Sequence, residues 1–262
     1  MKLAVVGDEI GTFLIEQIES LKEANIKRIE IRKIDDKYLW EFTNKEIKEF
    51  KTLLDNEKIE VITLDSPVGK KPIPYERKKE LFERYLEISK ILNNRYIRIF
   101  SNLGIEIQEE DIKNNLKEYC SKAKDNGIQL IMENERATFA KSPVQCYELI
   151  KNENNIDILF DLENAFFEGY EIFDAYEKSK NRINYIHLRD FNVKTNEYAH
   201  LGMGDLEIEK FMKKLVDDNY NGIISVETHL PMNGWNKSKR ELFIESFKNL
   251  KEIINKLNIE IG

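Results

Sequence analysis

The sequence predicts a single (β/α)8 barrel of the TIM type, with residues 1–262 forming one domain. Three observations support this prediction. Eight short, β-prone apolar runs are spread over the whole chain, helical patterns fill the gaps between them, and no linker rich in Pro, Gly or Ser interrupts the alternation. Eight strand–helix units in one chain of this length fit a barrel, which typically takes about 250 residues.

An open, doubly wound sheet is the structural alternative. Folds of that type usually carry GxGxxG after the first strand, where the motif binds a dinucleotide. This chain has GDEIGT (7–12) at that place, so the alternative lacks its main support.

Each predicted strand is nearly continuous in apolar residues. Such runs are typical of parallel strands that are buried on both faces. In chain order, the predicted strands are LAVV (3–6), KRIEI (27–31), EVITL (60–64), YIRIF (96–100), IQLIM (128–132), IDILF (156–160), INYIHL (183–188) and IISVE (223–227).

The segments between these strands repeat apolar residues at helical spacing, as in Phe13, Ile15, Ile18 and Leu21. Ser142 followed by Pro143 predicts a helix start, because serine caps an N-terminus and proline suits the first turn. Gly127 and Gly222 each precede a strand and predict the ends of the helices before them.

Composition and charge argue against several classes of protein. The formal net charge is -7, so the broad basic field that nucleic-acid binding needs is absent. Only Cys120 and Cys146 are present, without a CxxC motif, which makes a disulfide framework improbable. No apolar run approaches the roughly 20 residues of a membrane span. We therefore expect a soluble cytoplasmic protein that binds neither nucleic acid nor membrane.

Polar side chains follow four successive predicted strands. Glu133, Asp161, His187 and Glu227 end or directly follow the last four apolar runs. In a TIM barrel the carboxyl ends of the strands carry the catalytic groups, so these side chains are expected to converge at one mouth. Any one of them alone is better explained as a cap, an ion-pair partner or an exposed side chain. Four in succession, one of them among only three histidines, favour a functional site.

Three converging carboxylates would repel each other and raise each other's pKa values. A divalent cation removes that problem. Three carboxylates and one neutral imidazole form a hard, oxygen-rich site that suits Mn²⁺ or Mg²⁺ and can also take Co²⁺, Fe²⁺ or Zn²⁺. The residue pattern by itself predicts a metal site and no particular reaction.

At these residues the sequence resembles the sugar phosphate isomerase/epimerase group of xylose isomerase-like TIM barrels. Members include ketose 3-epimerases, hydroxypyruvate isomerases and inosose dehydratases. The resemblance covers nearly the whole chain and is most specific in the ordered series MENE (132–135), FDLENAF (160–166), YIHLRDF (185–191), LGMGDLEIEKFMKKL (201–215) and ISVETH (224–229).

The resemblance implies the ligands and the reaction. By motif, one divalent metal ion would be held by Glu133, Asp161, His187 and Glu227. The metal would polarise a ketose carbonyl and stabilise an enediolate, while Glu133 and Glu227 act as the catalytic bases that remove and return the proton. The implied substrate is a small carbohydrate. Family members are often dimers or tetramers, so the resemblance allows a homo-oligomer, but the sequence does not determine the oligomeric state.

Two departures from the family pattern affect the substrate. Many epimerases carry histidine where this chain has Asn164, and many carry ENH where it has ENE, ending at Glu135. Both positions remain substrate-binding candidates, and the remaining candidates are Arg189, Asp190 and His229. For Asp190 the alternative role is to orient the loop, and for Arg189 and His229 it is surface or packing.

Two other functions are open to this pattern, and a third is largely excluded. An inosose dehydratase-like lyase would use the same metal and bases to eliminate water. A non-catalytic barrel would bind a sugar or a partner. A DNA-repair endonuclease shares the fold, but such enzymes hold a three-zinc cluster with many histidines, and this chain has three in total. Neither the sugar, its phosphorylation nor the reacting carbon follows from the sequence.

Overall fold

A computed structural model of the chain describes residues 1–70, 73–103 and 108–262. Its centre is a closed barrel of eight parallel strands in the order β1-β12-β9-β8-β7-β6-β5-β2. The strands of the described residues are β1 (Lys2–Val6), β2 (Arg28–Ile31), β3 (Lys33–Ile34), β4 (Lys37–Tyr38), β5 (Glu60–Asp65), β6 (Tyr96–Ile99), β7 (Gln129–Glu133), β8 (Ile156–Asp161), β9 (Ile183–Leu188), β10 (Asp190–Asn192), β11 (Glu197–Ala199) and β12 (Ile223–Val226).

Helices surround the barrel and connect its strands. They are α1 (Gly7–Ile10), α2 (Leu14–Ala24), α3 (Asn44–Asn56), α4 (Tyr75–Leu92), α5 (Glu109–Asp125), α6 (Pro143–Ile150), α7 (Leu162–Phe167), α8 (Ile172–Ser179), α9 (Ile208–Asp217) and α10 (Lys239–Lys256). The predicted start of α6 is confirmed, since Ser142 accepts a hydrogen bond from the main-chain N–H of Gln145 and Pro143 is the first helical residue.

The predicted barrel is confirmed, and all eight predicted strands are barrel strands. The sequence did not predict two short antiparallel hairpins, β3–β4 and β10–β11, which follow barrel strands β2 and β9. Strands of two or three residues are too short for an alternation of apolar and polar residues to be recognised.

The core has two layers. The larger one lies between the strands and the helices. The smaller one fills the barrel and consists of Ala4, Ile62, Tyr96, Ile131, Leu159, Tyr185 and Ile223. Tyr96 and Tyr185 stand on strands that are not neighbours and still approach to 5.9 Å between ring centroids, because they meet across the interior. This plug forms the floor beneath the polar residues at the carboxyl ends of the strands.

Among the described residues, no helix combines the length and the apolar character that crossing a membrane would take.

Candidate metal centre

The four residues predicted as ligands lie together at the carboxyl end of the barrel. Glu133 ends β7, Asp161 ends β8, His187 lies in β9, and Glu227 directly follows β12. The strand register brings Asp161 beside His187, and His187 beside Ser225. All four side chains are buried, and one potential ligand atom from each lies within 4.8 Å of the others.

The His187 ring has one occupied and one open nitrogen. Its Nε2 lies 3.0 Å from Oε1 of Glu30, with hydrogen-bonding geometry. Its Nδ1 lies 3.0 Å from Oε2 of Glu227 and 3.7 Å from Oε1 of Glu133. Among the described residues Nδ1 is buried and makes no hydrogen bond of good geometry. The open nitrogen therefore faces the two glutamates.

Arg98 joins Glu133 to a further carboxylate. Its guanidinium lies 2.9 Å from Glu133 Oε2 and 3.0 Å from Asp65 Oδ2, the last residue of β5. Arg98 lies on β6, and its side chain is buried at the mouth rather than on the outer face of the barrel.

Arg189 pairs with Asp161 as Arg98 pairs with Glu133. It forms ion pairs with Asp161 and, at 2.7 Å through Nε, with Glu163. Its Nη1 lies 3.7 Å from Glu227 Oε2. Arg189 follows β9 directly, so it projects from the loop next to His187.

Arg32 holds Glu227 from the other side. Both oxygens of Asp8 accept from its Nε at 3.0 Å, Glu9 accepts from Nη2 at 2.7 Å, and Glu227 accepts from Nη1. Each carboxylate among the predicted ligands thus has its own arginine. The sequence argument relied on a divalent cation to relieve the repulsion between these carboxylates, whereas the structure shows that an arginine pairs with each of them.

Charge on the neighbours decides the ionisation of the two glutamates. Burial alone would raise the pKa of Glu133, but Arg98 and His187 lower it below its ordinary value. Burial opposes ionisation of Glu227 as well, and the charges of His229, His187 and Arg32 hold its pKa well below the ordinary value. Both side chains are therefore carboxylates at neutral pH.

Asp161 differs from the two glutamates. Burial raises its pKa to about 6, against the opposing charge of Arg189. The pKa of His187 is raised well above its ordinary value, because Glu30 and Glu227 outweigh the effect of burial. In the metal-free protein these two groups hold the protons that a bound cation would displace.

Glu135 and Asn164, two of the substrate-binding candidates, have protein partners. Glu135 accepts a hydrogen bond from Lys70 Nζ at 2.7 Å. Asn164 donates its main-chain N–H to Asp161 Oδ1 at 2.8 Å, and its side chain donates to the carbonyl of Asn134 at 3.0 Å. Asn164 is buried and holds Asp161 in place, so its role as a substrate ligand stays a prediction.

Asp190 is engaged by its own loop. Its carboxylate accepts from the main-chain N–H groups of Phe191, Gly202 and Gly204 at 2.9 Å, and from that of Leu206 at 3.2 Å. These four bonds favour the loop-orienting role over contact with a substrate.

His229 lies beside Glu227, with a second carboxylate behind it. Glu9 accepts from the main-chain N–H of His229 at 2.8 Å and lies 2.9 Å from its Nδ1. The Nε2 of His229 lies 3.6 Å from Glu227 Oε1 and is open toward the mouth. His200, by contrast, lies in the loop after β11, with Glu245 as its charged neighbour.

Sequence reasoning missed three buried carboxylates of this site: Glu9, Asp65 and Glu163. Each follows or ends a barrel strand, at β1, β5 and β8. The rule that identified the four predicted ligands would have found Asp65, which directly follows the third predicted strand, whereas Glu9 and Glu163 lie three and two residues beyond a strand end.

The donor set fits a divalent cation. Among the described residues, the mouth combines three guanidiniums with eight carboxyl groups, those of Asp8, Glu9, Glu30, Asp65, Glu133, Asp161, Glu163 and Glu227. These carboxyl groups outnumber the arginines that pair with them. The buried Nδ1 of His187, which makes no hydrogen bond with the described residues, supplies a nitrogen donor once a bound cation has displaced its proton.

Comparison with known proteins identifies the family. The family model described as xylose isomerase-like TIM barrel matches residues 18–260. An inosose dehydratase of Clostridium perfringens (strain 13 / Type A) is 23% identical over 248 residues, which cover 84% of this chain and 77% of that protein.

Solved structures show the same fold. A D-tagatose 3-epimerase-like protein matches with a TM-score of 0.76 and 22% identity over 98% of each chain. The IOLI protein, solved with a bound zinc atom, matches with a TM-score of 0.80 and 18% identity over 98% of this chain and 99% of its own. With a family model that spans nearly the whole sequence, the chain belongs to the xylose isomerase-like TIM barrel family.

Proposed function

We propose that this protein is a divalent-metal-dependent isomerase or epimerase of a small carbohydrate, a ketose or sugar phosphate. The observation that carries the proposal is the pair of buried, ionised glutamates, Glu133 and Glu227, which approach one open imidazole nitrogen from two different strands. Two bases that approach one position from different strands can take a proton from carbon and supply one to it.

The residues present would hold the cation as follows. Glu133, Asp161 and Glu227 would supply carboxylate oxygens, and His187 would supply Nδ1. When bound, a divalent ion polarises a carbonyl and makes the neighbouring C–H more acidic. Mn²⁺ and Mg²⁺ are favoured by the three carboxylates, although Zn²⁺, Co²⁺ and Fe²⁺ suit the same set.

The chain's own groups would manage the protons. Glu227, as a carboxylate, would accept the proton from the substrate carbon. In an isomerisation the protonated Glu227 would return it to the neighbouring carbon, whereas in an epimerisation Glu133, once protonated from solvent, would deliver its own proton to the other face. Arg32 and Arg98 keep both glutamates ionised and fix their orientation. Burial of these groups limits the access of bulk water to the reactive intermediate, while the carboxyl that delivers the proton exchanges it with solvent between turnovers.

Substrate hydroxyls would be bound by groups at the rim of the site. Arg189 and His229 both stand next to Glu227 and carry polar atoms toward the mouth. Glu135, Asn164 and Asp190 are further candidates. Like Arg189 and His229, each of them already has protein partners.

We also propose that residues 1–262 act as one domain. The pairing of β1 with β12 supports this, because the first and the last barrel strands close the same barrel. Assembly as a homo-oligomer stays a prediction.

A lyase of the inosose dehydratase kind is the second candidate. The similarity to a curated inosose dehydratase favours it. Both reactions begin with removal of a proton from carbon by the same bases, so the products must separate them.

The first test is metal content, measured by elemental analysis after reconstitution with Mn²⁺, Mg²⁺, Co²⁺ or Zn²⁺. We expect roughly one ion per chain in the wild type and loss of the ion in His187→Ala. His200→Ala is the matched control, because it removes a histidine that lies away from the cluster, and it should keep the ion. A wild type that takes up none of these metals contradicts the proposal.

The same preparations then test proton transfer. Ketoses and inososes are incubated in D2O and followed by NMR. Deuterium at the carbon next to the carbonyl supports isomerase or epimerase chemistry, whereas loss of water supports the lyase. Glu227→Gln should lower the rate by about 10²-fold or more, since a positioned general base contributes that much. A rate near that of the wild type would rule out Glu227 as the base.

A further inference from the structure

Glu30 contacts His187 across the inside of the barrel. It lies on β2, and His187 lies on β9, which is not a neighbour of β2 in the sheet. Both side chains are fully buried, and Glu30 Oε1 lies 3.0 Å from His187 Nε2. A buried carboxylate that reaches over the barrel floor to one ring nitrogen needs a physical reason.

Neighbours on the floor hold the Glu30 carboxylate in place. Tyr185 donates its hydroxyl to the other oxygen, Oε2, at 2.8 Å. Tyr185 and His187 are two residues apart on β9, so both point into the barrel, one above the other. A carboxylate oxygen of Asp65 lies within 4.8 Å of Glu30 and of the His187 ring as well. Oε1 is thereby directed at the imidazole.

The chemistry of the pair determines which ring nitrogen is open. A neutral imidazole has one N–H donor and one acceptor nitrogen, and an ionised carboxylate can only accept. With Glu30 at Nε2, the hydrogen is on Nε2 and the lone pair is on Nδ1. Nδ1 is the atom that faces Glu133 and Glu227.

We propose that Glu30 is a positioning residue of the metal centre: it fixes the ring orientation and the Nε2–H tautomer of His187, so that Nδ1 is the ligating atom. This inference rests on the proposed metal centre and adds to it a residue that does not touch the metal. Carboxylates behind ligating histidines fix the tautomer and increase the basicity of the ligand, and their loss typically costs about 10- to 100-fold in metal affinity.

Two substitutions distinguish the effect of the Glu30 charge from the effect of its side-chain length. Glu30→Gln keeps the length of the side chain and removes its charge. Glu30→Asp keeps the charge but is one methylene shorter, which withdraws the carboxylate from Nε2. Each should weaken Zn²⁺ or Mn²⁺ binding by about 10- to 100-fold, measured by competition with a chelator. Circular dichroism establishes that each variant is folded, and if one fails to fold, the other decides.

Glu163→Gln is the matched control. Glu163 is a buried carboxylate of the same mouth, but its partner is Arg189 rather than His187. Its loss should change metal affinity by less than about threefold. Wild-type affinity in both Glu30 variants would overturn the inference. So would an equal loss in Glu163→Gln, because general charge and not the contact would then be responsible.

A second readout does not depend on metal. The chain has three histidines, so ¹⁵N NMR of the metal-free protein, at a pH above the raised pKa of His187, can resolve the tautomer of its neutral ring. We expect Nε2–H in the wild type and a mixture in Glu30→Asp. An unbiased mixture in the wild type overturns the inference. Nε2–H in a wild type that binds no ion would refute the proposed metal centre and still support the orienting role of Glu30.

Discussion

Asp161 shows at the residue scale how burial and charge compete. Its carboxyl is fully buried, and burial raises its pKa to about 6 despite the adjacent guanidinium of Arg189. Because the folded-state pKa lies above the ordinary value of 3.8, the folded chain binds this proton more tightly than the unfolded chain does. The stabilising effect of the protonated carboxyl is complete below about pH 4 and is lost as the pH rises through about 6.

A cation reverses that preference, because it binds the carboxylate and not the acid. We predict that metal affinity falls as the pH is lowered through about 6, by about tenfold per pH unit for each proton displaced. Titration calorimetry between pH 5 and pH 8 measures this. Asp161→Asn should bind metal more weakly and lose its own part of the pH dependence. A wild-type affinity that is constant over this range would show that Asp161 is not a ligand.

The β10–β11 hairpin and the loop after it are the feature of interest at the scale of elements. This segment begins at Asp190, three residues after His187, and folds back over the mouth to α9. The buried Asp190 carboxylate accepts four main-chain N–H groups from it, two of them from Gly202 and Gly204. A β-carbon on Gly204 would lie 2.3 Å from Asp190 Oδ1, so the loop closes around this carboxylate only with glycine there.

Asp190→Ala should therefore loosen the whole segment, because it leaves several buried donors without partners. We expect a loss of at least about 2 kcal/mol in the free energy of unfolding and faster hydrogen exchange at Gly202, Gly204 and Leu206. Asn192→Ala is the control, since Asn192 caps only an exposed turn of the same hairpin. Equal protection of the three amides in wild type and Asp190→Ala would contradict this role.

At the scale of the whole molecule, the mouth of the barrel concentrates buried carboxylates, and arginines neutralise part of their negative charge. Three guanidiniums from three strand ends form ion pairs with these carboxylates, so the folded chain does not need a metal to balance their charge. An ion that binds the folded state alone would then add stability to a chain that is folded without it.

We predict that a divalent ion at about 1,000 times its Kd raises the free energy of unfolding by about 4 kcal/mol, which corresponds to roughly 10 °C in Tm for a domain of this size. A chelator should reverse the shift, and thermal unfolding by circular dichroism measures it. In His187→Ala the ion should have no effect. A shift of equal size in that variant would mean that the ion binds elsewhere.

The barrel itself could be predicted from the sequence because each strand can be recognised from its own residues and the polar segments beside it. INYIHL (183–188) is apolar and β-prone over its own length, and its flanking segments are polar, so no distant contact is needed to recognise it. The predicted strand ends also placed four residues at one end of the barrel, since parallel strands of a barrel share their direction. These residues are Glu133, Asp161, His187 and Glu227. The two hairpins could not be predicted, as their strands are held by pairing rather than by pattern.

The sequence by itself therefore determined the fold class, the family resemblance and the four residues that gather at the mouth. Only the tertiary structure decided which side chains pair at the mouth. Arg98 pairs with Glu133 and Arg189 pairs with Asp161, while Glu30 contacts His187 from behind. The physical reason is distance along the chain. Glu30 and His187 are 157 residues apart, and no local pattern in either strand records that closure of the barrel brings their side chains to 3.0 Å.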